Sequence, residues 1–183
     1  MKGTAYLARV KLLQAKIGEG ETEAFLARYR QTHPSFPTSV LPSSRIEMGT
    51  FLHLVDAIVD EIFDGDADSL WEIGEQSAEF TLTEGPYRAL REGKDVERFV
   101  ALAPAMYANF FDTGRAATTV ESGTIRLIID GIPKQFHHRY FEYSVVGYFR
   151  RGIELMGINL QCHRERGFSA GDEDVCYTLT PVD

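Results

Sequence analysis

Cys162 and Cys176, with His163 beside the first and His137-His138 further back, are the residues here best able to ligate a soft metal or change redox state. Two thiols and an imidazole suffice chemically for zinc. The spacing contains no Cys-x-x-Cys, however, so metal binding at Cys162 and Cys176 is the weaker reading beside two reduced, buried thiols. Alternation along a regular strand turns His163 to the opposite face from Cys162, which keeps that adjacent pair from sharing one metal. Whether the two thiols meet depends on the hairpin between them. Pairing Arg166 with Asp172 sets them opposite one another, and pairing Arg166 with Glu173 sets Cys176 opposite His163; both registers stay open.

A second set of oxygen ligands, Asp64, Asp66, Asp68 and Glu75, falls at positions 1, 3, 5 and 12 of a calcium-loop spacing. Ser69 occupies the position where that loop turns sharply and needs glycine. Aspartates ahead of a helix also serve as ordinary caps that complement its dipole, and that reading is preferred. No Ser-His-Asp arrangement, phosphate loop, metalloprotease motif or dinucleotide fingerprint is visible, so the chain reads as a non-enzyme.

The third resource is aromatic: twelve Phe, eight Tyr and one Trp. Trp71, Tyr107, Phe110, Phe111, Tyr140, Phe141, Tyr148 and Phe149 are the candidate ligand-binding residues. Most of them crowd two helix candidates, neither of which can bury all its rings along one stripe. The surplus must line a cavity, form an interface or fill an aromatic core.

The elements that position these residues follow from periodicity. Ala117 to Glu121 and Thr124 to Asp130 are β-prone runs around the turn dipeptide Ser122-Gly123. From about Phe136 to Met156 apolar residues recur at three- and four-residue spacing, predicting a long helix. Leu160, Cys162 and Arg164 alternate again, Gly167 to Asp172 turns, and Val175 to Leu179 returns, giving β-β-α-β-β. Upstream, Thr4 to Lys16 and Glu21 to Arg30 predict two helices parted by Gly18-Glu19-Gly20, and the prolines between Thr32 and Pro42 predict a linker. Ser44-Arg45-Ile46-Glu47 has capping-box spacing ahead of the stripe Phe51, Leu54, Val55, Ile58 and Ile62. A further helix beginning near Asp68-Ser69 offers Gly74 and Ser77 for close approach of another backbone. Pro86 suits a first helical turn, and Pro104 predicts a break in the helix from Asp95 towards Gly114.

The chain has 183 residues and a formal net charge of -8 at pH 7. That length suits a single domain over 1-183, with 1-43 as helical extension and Pro-rich linker and 44-183 as main body. Its charge repels phosphate backbones and argues against nucleic acid. The apolar stretch from Phe99 to Phe111 falls short of the ~20 residues of a spanning helix, and the start lacks a hydrophobic signal region. A cytoplasmic protein with no transmembrane segment is expected.

Glu154-Leu155-Met156-Gly157, Cys162, Gly171-Asp172 and Cys176-Tyr177 resemble the C-terminal signature of 4-vinyl reductase domains. Lys2-Gly3, Leu41 to Ser44, Trp71 to Phe80 and Tyr107 to Gly114 resemble a bacterial family abundant in myxobacterial genomes. The resemblance implies an α+β fold shared by haem-based nitric-oxide sensors and small TRAPP transport-particle subunits: an antiparallel sheet covered by a helical layer, enclosing a ligand cavity. Taken with the surplus of aromatic residues, the expected function is a non-enzymatic sensory or binding domain for a small hydrophobic ligand, a homodimer that relays to a partner protein. The alternative is a ligand-free scaffold acting through dimerisation. The Tyr-x-Ser-x-Arg element of the haem sensors is not reproduced by Tyr143-Ser144-Val145-Val146, so the sequence argues against haem, and it argues against nucleotide as well.

Overall fold

A computed structural model describes residues 1–182. Seven helices come first: α1 (Gly3–Ile17), α2 (Glu19–Thr32), α3 (Met48–Ile62), α4 (Ser69–Thr83), α5 (Arg88–Glu92), α6 (Val96–Ala101) and α7 (Ala103–Phe110). Strands β1 (Arg115–Glu121) and β2 (Thr124–Asp130), helix α8 (Arg139–Glu154), and strands β3 (Leu160–Arg166) and β4 (Val175–Pro181) follow. The expected α+β architecture, an antiparallel sheet with a helical layer, is the one found.

The helix boundaries have local causes. Glu47 itself caps α3, its carboxylate accepting from the backbone N–H groups of Gly49 and Thr50. The capping box expected from Ser44 is therefore corrected: the Ser44 hydroxyl accepts from the Leu41 N–H three residues back and closes the linker instead. Phe51, Leu54, Val55 and Ile58 are fully buried on the stripe that their spacing sets. Pro104 sits at the second position of α7, where its missing N–H costs nothing, and α6 ends just before it. Pro86 stays outside α5, whose cap is Tyr87.

In the sheet, order β1-β2-β4-β3, every neighbouring pair is antiparallel. Ser122 and Gly123 both have positive φ (50° and 81°), as a two-residue hairpin turn of matching twist requires. Ile125, Leu127 and Ile129 of β2 and Val175, Tyr177 and Leu179 of β4 are buried along one face. The β3–β4 register is neither of the two expected. Arg166 pairs with Cys176 across a bulge at Glu165, and Cys162 pairs with Leu179. The loop between them is longer than either count allowed, because Phe168–Ala170 forms a short 3-10 turn before the chain comes back. Cys162 thus lies on the face of Leu179 and Cys176 on the other, so the two sulfurs cannot share a metal.

Helix α8 is the centre of the molecule. Against α4 the backbones come so close that a Cβ on Gly74 would sit 2.0 Å from the Ser144 carbonyl oxygen, and one on Gly147 would sit 3.0 Å from the Trp71 carbonyl oxygen. That intimacy explains how one helix buries Tyr140, Phe141, Tyr148 and Phe149 together: α8 is covered on more than one side, so a single stripe is no limit. Glu142 is also fully buried there. Its carboxylate accepts from the Ser169 N–H (2.6 Å), the Ser169 hydroxyl (2.8 Å) and the Arg164 guanidinium (2.8 Å), which pins α8 to the β3–β4 loop.

The acidic cluster does not converge. Asp66 accepts from the Asp68 N–H in the turn before α4, whereas Glu75, further along α4, is ion-paired to Arg150 of α8. Among the described residues no group of three or more His, Cys, Asp or Glu is placed to hold a metal.

Candidate functional site

Helices α1, α4, α7 and α8 enclose a chamber of about 30 Å³, room for a water or two. Of the eight aromatic residues singled out by sequence, Tyr107, Phe110, Phe111, Tyr140, Tyr148 and Phe149 line it. The rings form a continuous shell: Tyr107 stacks on Phe111 at 4.4 Å between centroids, and Phe110 meets Tyr148 edge-on at 5.8 Å. Trp71 and Phe141 are placed elsewhere. Trp71 faces the sheet, 5.9 Å from the Tyr177 ring and with the Arg150 guanidinium 4.9 Å from its own centroid. Phe141 is completely buried between Phe111 and Phe168 as core.

Five of these rings, Tyr107, Phe111, Tyr140, Tyr148 and Phe149, are at 7% exposure or less and offer no surface to a second subunit, while Phe110 is half-buried. The large apolar side chains that are exposed, among the described residues, are Leu41, Val120 and Val182. Two of the three phenol oxygens in the shell are satisfied locally. Tyr107 donates to the Thr113 carbonyl (3.0 Å), and the Tyr148 hydroxyl is 3.0 Å from that of Thr81. Burial raises both phenols above their ordinary range, which keeps them neutral.

Sequence reasoning passed over the polar part of the lining. Arg9 of α1, with 2% exposure, projects into the aromatic shell. Its guanidinium donates to the hydroxyls of Ser77 on α4 and, at 3.5 Å, Ser144 on α8, and lies 5.9 Å from the Tyr140 centroid. Its Nε has no partner. A signal for it existed: Arg9 is the one charge on the stripe Ala5, Arg9, Leu12, which otherwise spaces as a buried helix face. Of the pair expected to admit another backbone, Gly74 does so, whereas Ser77 accepts from Arg9 and its hydroxyl bonds back to the Ile73 carbonyl (2.9 Å).

Cys162 lies outside this chamber, half-buried, and burial pushes its thiol up to about 11. Cys176 is buried on the opposite sheet face, where the Arg126 guanidinium is 3.2 Å from its sulfur. His137 and His138 do not line it either: His138 caps α8 and its Nε2 meets Asp56 (2.8 Å), and His137 bonds the Ile132 carbonyl (3.0 Å).

No protein-family model matches the chain, and no curated protein matches it. Solved structures do. An H-NOX protein from Shewanella oneidensis in the Fe(II)NO ligation state superposes with a TM-score of 0.77 at 9% identity, covering 100% of both chains. An unliganded Fe(II) H-NOX mutant from K. algicida gives 0.72 at 13% identity, over 100% of this chain and 97% of that one. A third, from work probing haem distortion in the H-NOX family, gives 0.71 at 15%, with the same coverage. The chain therefore has the H-NOX fold. The resemblances to 4-vinyl reductase and transport-particle subunits rest on sequence motifs alone.

The expectation against haem is corrected by these neighbours, which are H-NOX proteins characterised through their Fe(II) centres. It leaned on one missing five-residue pattern. At 9–15% identity a fold persists through its apolar pattern and backbone contacts while local motifs drift, so that pattern is poor evidence either way.

Proposed function

We propose that this chain is a sensory domain that binds a small, largely apolar molecule in the chamber among α1, α4, α7 and α8. The single observation that supports it is the aromatic-lined pocket, set in a fold shared with H-NOX proteins. Binding rather than catalysis is favoured by the contents of the shell: its hydroxyls are engaged by Ile73 and Arg9, and it holds no base to activate them. Relay to a partner protein and a homodimeric state are part of this proposal.

Haem is the first ligand to consider, and the lining suits it in kind. Flat rings can cover a porphyrin face, Arg9 can meet a carboxylate, and Tyr107, Tyr140 or Tyr148 is a residue type able to ligate haem iron. Bound haem would supply an iron centre for a diatomic gas. The present room of about 30 Å³ is far too small for a group of that size, so haem would fit only with the surrounding helices further apart.

Thermal unfolding of the full chain with hemin, hexanoate and octanol, at two protein concentrations, tests this function. A bound probe at a hundred times its dissociation constant stabilises by about 2.7 kcal/mol, whatever the protein concentration. A midpoint blind to every probe but rising with protein concentration overturns the reading in favour of a scaffold.

A further inference from the structure

We infer that the molecule held in this chamber is an acid, its carboxylate paired with Arg9 and its apolar body lying against Tyr107, Phe111 and Tyr140. The inference rests on the binding reading above and narrows it to one chemical class. Arg9 is a full positive charge, since guanidinium does not deprotonate in proteins, and it is almost completely removed from water. Such burial is costly unless an opposite charge compensates. None does: two serine hydroxyls and one ring are its partners, and no carboxylate among the described residues reaches it.

Several other arginines that border the core are paired with carboxylates. Arg164 meets Glu142, Arg151 meets Glu79, and Arg166 meets Asp174 through both oxygens. Half-buried Arg30 also lacks a carboxylate and donates to the Tyr6 hydroxyl (3.2 Å), but Arg9 is far more deeply buried, at 2% exposure, and borders the chamber. Its Nε is left without a partner, so the planar fork that grips a carboxylate with two parallel bonds still has donor capacity. Ser77 and Ser144 hold the guanidinium from α4 and α8, fixing its plane before any ligand arrives.

A free organic acid and the propionate of a porphyrin present the same carboxylate, and two pairs of probes tell them apart. The first pair is hexanoate against hexanamide, and the second is hemin against its dimethyl ester. Each is titrated into the full chain and into Arg9→Gln and Arg9→Met, with the thermal midpoint as readout. The expected result is that the acid of at least one pair binds about tenfold or more tighter than its neutral partner, as a charge-assisted hydrogen bond implies. Both variants should erase that preference. Arg9→Met without ligand should also unfold at a higher temperature than the unaltered chain, because an unpaired buried charge has been replaced by an apolar side chain of similar length. Acid and neutral partner binding equally, or an acid preference that survives Arg9→Gln, overturns the inference and leaves the binding chamber standing. If no probe of either pair shifts the midpoint, the inference fails, and the proposed function falls with it when octanol is silent too. Should the variants not fold, the acid-against-neutral comparison in the unaltered chain decides.

Discussion

The carbonyl oxygen of Ser144 in α8 occupies the place where a side chain on Gly74 of α4 would begin: a Cβ there would be 2.0 Å away. No rotamer change relieves a clash with backbone. The two helices that carry Ser77 and Tyr148 into the chamber are therefore held at a separation that glycine alone permits.

Gly74→Ala is expected to destabilise the chain by about 1–3 kcal/mol through forced separation of α4 and α8, despite the better helix propensity of alanine. Gly20→Ala in α2 is the control, since nothing lies within 4 Å of its would-be Cβ. It should stabilise by about 0.5–1 kcal/mol. Urea midpoints of the pair, moving in opposite directions, check the close crossing.

Tyr148→Phe removes a buried hydroxyl pair with Thr81 and should cost about 1 kcal/mol. Tyr148→Ala should cost about 3–5 kcal/mol by opening a cavity. Neither should change the sedimentation coefficient of the folded protein, because the ring is 7% exposed and lies inside the chain. A change in assembly state with the smaller substitution would return these rings to an interface role.

Glu142→Gln should loosen the tie between α8 and the β3–β4 loop. Its three acceptor contacts lose their charge assistance while Arg164 loses its counter-ion, a destabilisation of about 1–3 kcal/mol. Hydrogen exchange should show the Ser169 N–H losing protection before the chamber helices do.

The Cys162 thiol, raised by burial from an ordinary 9.0 to about 11, makes stability depend on pH in a defined window. Below pH 9 the thiol is protonated in both folded and unfolded chains, and its full contribution is present. Between pH 9 and about 11 only the unfolded chain ionises, so stability falls as pH rises. The difference in stability between the native chain and Cys162→Ser should shrink across that interval and stay flat from pH 6 to 8. Alkylation of Cys162 by iodoacetamide at pH 8 should likewise be slow.

What the residues determine alone is the succession of elements, because that information is local. Alternation in Thr124–Asp130, a three- and four-residue stripe in Arg139–Glu154, and the turn chemistry of Ser122-Gly123 each act within one or two turns of chain. The need to bury an excess of rings is equally legible from composition. Where those rings go is not. Trp71 and Phe141 carry the same kind of surface as Tyr148, and only the packing of α8 against α4 and the sheet sends the first to the sheet, the second into the core and the third to the chamber. The cysteines make the same point: two readings of the hairpin were possible by counting, and a bulge at Glu165 with a 3-10 turn after it produced another. Arg9 is the sharpest case. Its place on an apolar stripe is visible in sequence, but a stripe cannot say whether a carboxylate waits opposite. That depends on residues 68 and 135 positions away, and the tertiary structure supplies two serines there and no acid.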